Sequence, residues 1–275
     1  MVKWLAVAFI LSSSFGITSQ TTVTPYSYPA AWVNKGEGKS YVLYQRHNVR
    51  AMSQANAGSC VGAAYAKSLE IMHGVPFSAE WSYGISRKQF DWLENRPGSS
   101  CAWAAQSGMD IGCIPAYNYA VMGYDLSEYS ADRANHWQRG PPETLELVAS
   151  RYRSQGFVHI ETWEQLRDAI SQGYPVIVGS SVGFGQKNGQ VRDELGRLRS
   201  KWWSRWNHAM LFCGVSDGKN KQALLLNSWG HAWITGPKFV PDEPDGSFWV
   251  SKSDAQKMLS QGDAWAILPI RDLPL

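Results

Sequence analysis

The chain has 275 residues, 44% of them hydrophobic and 18% charged, which excludes a disordered chain and suffices for one large domain with a full core. A net charge of +3 is too small to imply a nucleic-acid partner. Fourteen tryptophans require core or cleft walls to pack against, since an indole rarely sits fully in water.

Residues 1–16 read as a secretory signal: Lys3, an apolar run from Trp4 to Leu11, then small residues ending at Gly16. The expectation is a secreted or periplasmic protein, with a place in a virion also open. The apolar run is too short to span a bilayer and no other stretch fits, so no stable membrane insertion is expected. Residues 17–40, rich in Thr, Ser, Pro, Tyr and Gly, read as an extended leader. The rest, 41–275, divides by pattern into a helical half, about 41–155, and a β-rich half, about 156–275. A helical half before a β-rich half points to an α+β fold in two lobes.

Tyr41 to Tyr44 reads as a short strand. Val61, Ala64, Tyr65, Ser68, Leu69 and Met72 share one face of a helix that starts at Cys60 and stops at Gly74. A second helix is expected from Ser78 to Glu94, with Ser78 as cap and Trp81, Ile85, Phe90 and Leu93 on its apolar face. A short helix over Ser99–Gly108 and an aromatic loop over Ile114–Tyr124 follow, then a helix near Glu143–Arg153 behind Pro141-Pro142. In the second half, Phe157–Ile160, Pro175–Val178, Ala209–Cys213, Ala223–Leu226, Phe248–Val250 and Trp265–Leu268 read as strands. Thr162 and Gln165 form a capping box for a helix closed by Gly173, and Ser253 is placed as cap of a last helix to Leu259.

Cys60 at a helix start is placed for chemistry. The free N–H groups and the positive end of the helix dipole favour a thiolate there, and thiolate is the nucleophile. Such a cysteine needs a base and a group to orient that base. His208 opens a predicted strand and Asn227 ends the next one, so neighbouring strands would put both at one end of a sheet. Gln54 can aim an amide N–H at an oxyanion, with the Cys60 backbone N–H as second donor.

These segments resemble the papain family of cysteine peptidases: Gln54 followed by Gly58-Ser59-Cys60, then Asn207-His208-Ala209, then Asn227-Ser228-Trp229-Gly230 with Trp233, in the family's order and at similar spacing. The resemblance implies a papain-like fold with a helical left lobe, a β-barrel-like right lobe and a cleft between them. It implies Cys60 as nucleophile, His208 as base, Asn227 as orienting amide, Gln54 as oxyanion donor and Trp229 as a ring over the Asn–His contact. Gly58, Ser59, Asn207 and Trp229 are candidates for the substrate cleft. The implied activity is cysteine-type endopeptidase, with protein or peptide substrates and no cofactor; the oligomeric state is left open. Ala57 and Val61 depart from the family's common Cys and Trp, and Gly112-Cys113-Ile114-Pro115 stands near the place of its G-C-x-G-G run. The departures bring the chain closer to bacterial and phage-encoded relatives. The short leader argues against the usual zymogen control.

Other readings weigh less. With Cys60 a free nucleophile, Cys101 and Cys113 are the expected disulfide of an exported protein and Cys213 a buried thiol. The absence of a C-x-x-C pair and of paired histidines argues against a metal site. Gly179–Gly183 matches G-x-S-x-G, but a serine nucleophile elbow needs a helix directly after it, and this sequence is a poor helix start. The basic, Trp-rich stretch 184–206 is either a flap that grips acidic or aromatic substrate or a solvated hairpin over packed rings. The alternative function is a papain-like module that binds without cutting, as a virion or envelope component; the complete Cys–His–Asn–Gln set speaks against it.

Overall fold

The computed structural model describes residues 23–89, 96–186, 189–271 and 273. The signal-like residues 1–16, the helix positions Phe90 and Leu93, and Lys187 lie outside them. The fold is α+β. Helices α1 (Cys60–His73), α2 (Ala79–Gln89), α3 (Cys101–Asp110), α4 (Ala131–Trp137) and the short α5 (Glu146–Ala149) precede most of the sheet, and α6 (Trp163–Ser171) and α7 (Lys252–Leu259) are set among its strands. The strands are β1 (Ser40–Val42), β2 (Asn118–Tyr119), β3 (Tyr124–Asp125), β4 (Phe157–His159), β5 (Val176–Gly185), β6 (Arg199–Ser216), β7 (Gln222–Leu226), β8 (Ser247–Ser251) and β9 (Ala264–Ile267).

Seven strands form one antiparallel sheet in the order β4-β9-β5-β6-β7-β8, with β1 paired to β6; β2 and β3 form a separate hairpin. Among the described residues the sheet does not close on itself, so the expected barrel-like lobe is an open sheet. Strand β1, at the start of the expected helical half, belongs to that sheet. The leader is also less loose than its composition implied: Tyr26 N–H donates to Phe157 O at 2.8 Å, and Trp32 stacks on Tyr174 at 4.7 Å.

Local signals explain the ends of the elements. Gly74 takes φ +71° and donates to Glu70 O, closing α1. Ser78 Oγ accepts from Trp81 N–H, and the Thr162–Gln165 capping box forms at α6. The cap of α7 is Ser251, not Ser253; Ser251 is the last extended residue of β8 and its Oγ accepts from Asp254 N–H at 3.1 Å. The expected helix after Pro142 is a single 3₁₀ turn running into α5.

Helix α1 is the axis of the molecule. Its Val61, Ala64, Tyr65 and Leu69 are buried, and it packs against α2 and α3 on one side and β5 and β6 on the other. Gly62 marks the closest approach, because a Cβ there would come within 2.2 Å of Ala79 O. The packing seats the N-terminus of α1 against β6.

Candidate active site

The turn before α1 leaves the helix end open. Ser59 is the N-cap, but its hydroxyl turns away to Tyr129 Oη at 2.7 Å and makes no cap bond; no acidic residue lies in the first turn. The first N–H groups are thus available to the Cys60 sulfur. Gly58 is fixed by crowding, since a Cβ there would stand 2.6 Å from the Cβ of Pro97.

His208 reaches this end through an irregular strand. Ser180 on β5 faces His208 and Val182 faces Arg205, so three steps on β6 are matched by two on β5. The extra residue is a bulge, and Asn207 within it takes φ +46°. His208 therefore sits inside β6, not at its start. The next residue, Ala209, offers its N–H to the Cys60 sulfur, which brings β6 and the start of α1 together at the histidine.

Asn227 directly follows β7, and the pairing of Leu211 with Leu226 brings it beside His208. Asn227 Oδ1 lies 2.7 Å from His208 Nε2 and 2.7 Å from Ser228 N. Ser228 N–H can only donate, so the facing atom is the amide oxygen, and Nε2 is the nitrogen that carries the proton. In the neutral ring this leaves Nδ1 as the basic nitrogen. Trp229 stacks on His208 with ring centres 4.6 Å apart and stays 37% exposed, a lid over the buried Asn–His bond.

Gln54 is buried and held from both ends. Its Nε2 donates to Ala57 O at 2.7 Å, its Oε1 accepts from Ser228 Oγ at 2.5 Å, and its N–H donates to Ser228 O at 2.8 Å. Gly230 N–H donates to Met52 O, and Ser53 pairs with Trp229. A short two-stranded contact thus ties the stretch carrying Gln54 to the stretch carrying Asn227. An amide nitrogen has two N–H groups, so one beyond the bond to Ala57 is left to Gln54.

Burial weighs against charge on each of the two groups. Burial pushes the Cys60 thiol up from its ordinary value, against the pull of the backbone N–H groups of Ala209, Val61 and Cys60 itself. Burial likewise lowers His208, against the bond to Asn227. Both directions favour thiol and imidazole over the ion pair.

The predicted residues Cys60, His208, Asn227, Gln54 and Trp229 are thus brought to one place. Ser59 faces Tyr129 and Asn207 shapes the bulge. Sequence reasoning gave no role to Ser228 or Tyr129: Ser228 lay inside the Asn-Ser-Trp-Gly run and Tyr129 had no signal. Trp206, in the stretch 184–206 read as either a substrate flap or a hairpin over packed rings, stands beside Trp229 with ring centres 4.7 Å apart. The expected Cys101–Cys113 disulfide is absent: all four cysteines are free, and Cys113 Sγ–H donates to Tyr65 Oη while Cys101 begins α3. The Gly179–Gly183 run lies wholly inside β5, with no strand-to-helix turn for a serine nucleophile. The stretch 190–198 is not a free flap: Arg192 N–H bonds to Thr235 O, Leu198 N–H to Trp249 O, and Arg192 is buried. A cavity of about 390 Å³ lies away from Cys60, between residues 44–51 and 231–245.

No protein-family model and no curated protein sequence matches the chain. Solved structures do. Xylellain, a cysteine protease from Xylella fastidiosa, superposes with TM-score 0.65 at 17% identity over 93% of this chain and 95% of that one. Digestive procathepsin L 3 from Tenebrio molitor gives 0.54 at 17% identity over 89% and 73%. The structure of the cysteine protease and lectin-like domains of Cwp84 from Clostridium difficile gives 0.54 at 18% identity over 83% and 51%. The chain thus has the fold of the papain-like cysteine proteases.

Proposed function

We propose that the chain is a cysteine-type endopeptidase that hydrolyses peptide bonds through a thioester on Cys60. One arrangement carries this reading: an uncapped helix N-terminus bearing Cys60, met by the Ala209 N–H next to a histidine whose Nε2 is fixed by Asn227 under Trp229. Orientation by Asn227 leaves Nδ1 to take the thiol proton. The sulfur attacks the peptide carbonyl carbon, and the C=O π electrons move onto oxygen. Gln54 Nε2–H and the Cys60 N–H hold that oxyanion. When the C–N bond breaks, the imidazolium returns its proton to the leaving amine. Water then attacks the thioester with His208 again as base, releasing the acid and the thiol. Burial, which raises the Cys60 thiol and lowers His208, fits a histidine that acts as a general base during attack.

In this reading residues 41–275 form the catalytic domain and residues 1–16 direct export to the periplasm or outside the cell. Overlap with nearly the whole of the bacterial xylellain supports placement with the bacterial branch. The test is alkylation with an epoxide inhibitor of papain-like enzymes, mapped by mass spectrometry, beside turnover of fluorogenic dipeptides under reducing conditions. Modification at Cys60 with turnover is expected. An intact fold with an unreactive Cys60 and no turnover makes the chain a binding module. N-terminal sequencing of exported protein should start near Ile17; an intact Met1 on active protein rejects the signal.

A further inference from the structure

We infer that Tyr129 is a positioning residue, a reading that rests on the proposed peptidase activity: its hydroxyl holds both ends of the turn 54–59, which keeps Gln54 aimed and keeps the Ser59 hydroxyl off the N-terminus of α1. Tyr129 Oη donates to Gln54 O at 3.2 Å and lies 2.7 Å from Ser59 Oγ. A phenol has one proton and Gln54 O takes it, so Ser59 Oγ–H donates to Tyr129 Oη. One hydroxyl thus joins the residue that carries the oxyanion donor to the residue that opens the helix of Cys60. Burial pushes the Tyr129 phenol up, so it keeps its proton.

The turn needs such a hold. Ala55 takes φ +48°, a left-handed backbone that a residue with a Cβ keeps only where its surroundings impose it. Ser59 is not extended as a capping serine is: its ψ is 19°, whereas Ser100, which caps α3 through Trp103 N–H, has ψ 153°. Relaxed to the geometry of Ser100, Ser59 would turn its Oγ onto an N–H of the first turn, in competition with the Cys60 sulfur. The arm that carries Tyr129 is itself fixed. Tyr129 packs against Ala57, Tyr83 and Ala134. Ser130 N–H donates to Glu80 Oε1 at 2.8 Å, and Arg133 meets the same buried carboxylate at 2.6 Å while donating to Glu128 O and Asp125 O. Glu80 belongs to α2, the helix packed against α1. Contacts therefore run from the core of the helical lobe through one hydroxyl to the turn, while Ser228 holds Gln54 from the other side.

The experiment removes that hydroxyl alone, with Tyr129→Phe. On fluorogenic dipeptides kcat should fall roughly tenfold with KM within about twofold, because the donors of the turn act on the transition state. The pH midpoint for alkylation of Cys60 by iodoacetamide should rise by roughly one pH unit, since an N–H given to Ser59 no longer stabilises the thiolate. Adding Ser59→Ala to Tyr129→Phe removes the competing hydroxyl and should bring the midpoint back toward the wild-type value. A kcat and a midpoint that do not move, a loss that falls on KM, or a double variant whose midpoint stays raised overturns the assignment. So does a lower urea midpoint as the only change, which would make Tyr129 a packing residue. If Tyr129→Phe does not fold, Arg133→Lys, which loosens the arm, should raise the alkylation midpoint in the same direction, and an unmoved midpoint rejects the clamp. A wild type that cleaves no peptide shows instead that the peptidase reading has failed; the Cys60 midpoint needs no turnover and still decides on Tyr129.

Discussion

Helices α1 and α3 both start on a cysteine that follows an N-cap serine, yet their ends differ chemically. At α3 the anion position is filled. Ser100 caps Trp103 N–H, and the buried carboxylate of Asp263 accepts from Cys101 N–H at 3.0 Å and Ala102 N–H at 2.9 Å, with Trp265 Nε1–H also bound to it. Cys101 is fully buried, and burial followed by the charge of Asp263 pushes its thiol well above the ordinary range. At α1 the serine turns away, the helix's own first turn holds no acidic residue, and the charge of Asp263 reaches Cys60 only as the last of several influences, so the N–H groups are left for sulfur. A helix N-terminus becomes a nucleophile site only where the fold leaves it uncapped and brings a base to it.

The sharpest break of that comparison is substitution of the two cysteines. Cys60→Ala should lower kcat/KM by roughly 10⁴–10⁶-fold, the scale of removing a nucleophile, while Cys101→Ala should leave it nearly intact. Iodoacetamide should label Cys60 alone in the folded protein; prior labelling of Cys101 would reverse the assignment. Next comes the donor side: Gln54→Ala should cost about 100–1000-fold in kcat with little change in KM, as for loss of one oxyanion donor. A large rise in KM with kcat intact would move Gln54 from transition state to substrate binding. At α3 the expected effect is on stability. Asp263→Ala strands two buried N–H groups and should destabilise by about 1–3 kcal/mol, read as a lower urea midpoint. An unchanged midpoint would mean that the carboxylate is not what holds that helix end.

The same contrast shows what the sequence made legible. Helix α1 was readable from its apolar face and from Gly74, because both signals are local. Cys60, His208, Asn227 and Gln54 were readable as motifs. The difference between Cys60 and Cys101 was not, since it depends on Asp263, a residue far along the chain that meets α3 only in the folded molecule. Strand β6 was seen only from Ala209 onward, because the bulge at Asn207 and the register break before it interrupt the alternation that marks a strand. Helix α4 was missed: it is seven residues long, and Ser130, which caps it, is a modest signal beside polar neighbours. The open sheet in place of a barrel also lies in pairing between distant strands, which no local pattern records.

The smallest expected effect tests whether the α1 site rests as a neutral pair. Burial lowers the pKa of His208 from its usual 6.5, and the bond to Asn227 opposes this without cancelling it. A base works only when unprotonated, so kcat/KM should rise with pH through the pKa of free His208 and level off above it. Because that pKa is lowered, the acid limb should fall below pH 6.5. A resting thiolate would act in the opposite direction: its negative charge would favour the imidazolium and hold His208 above its usual value. The neutral pair therefore predicts weak ultraviolet thiolate absorbance at neutral pH, and a His208 titration below 6.5 by NMR in both wild type and Cys60→Ala. Loss of the Asn227 bond removes the one contribution that raises His208, so Asn227→Ala should move the limb further down while lowering the plateau less than Cys60→Ala does. A limb at or above pH 6.5 that drops only when Cys60 is removed would establish the ion pair, and the open end of α1 would then hold its anion before any substrate arrives.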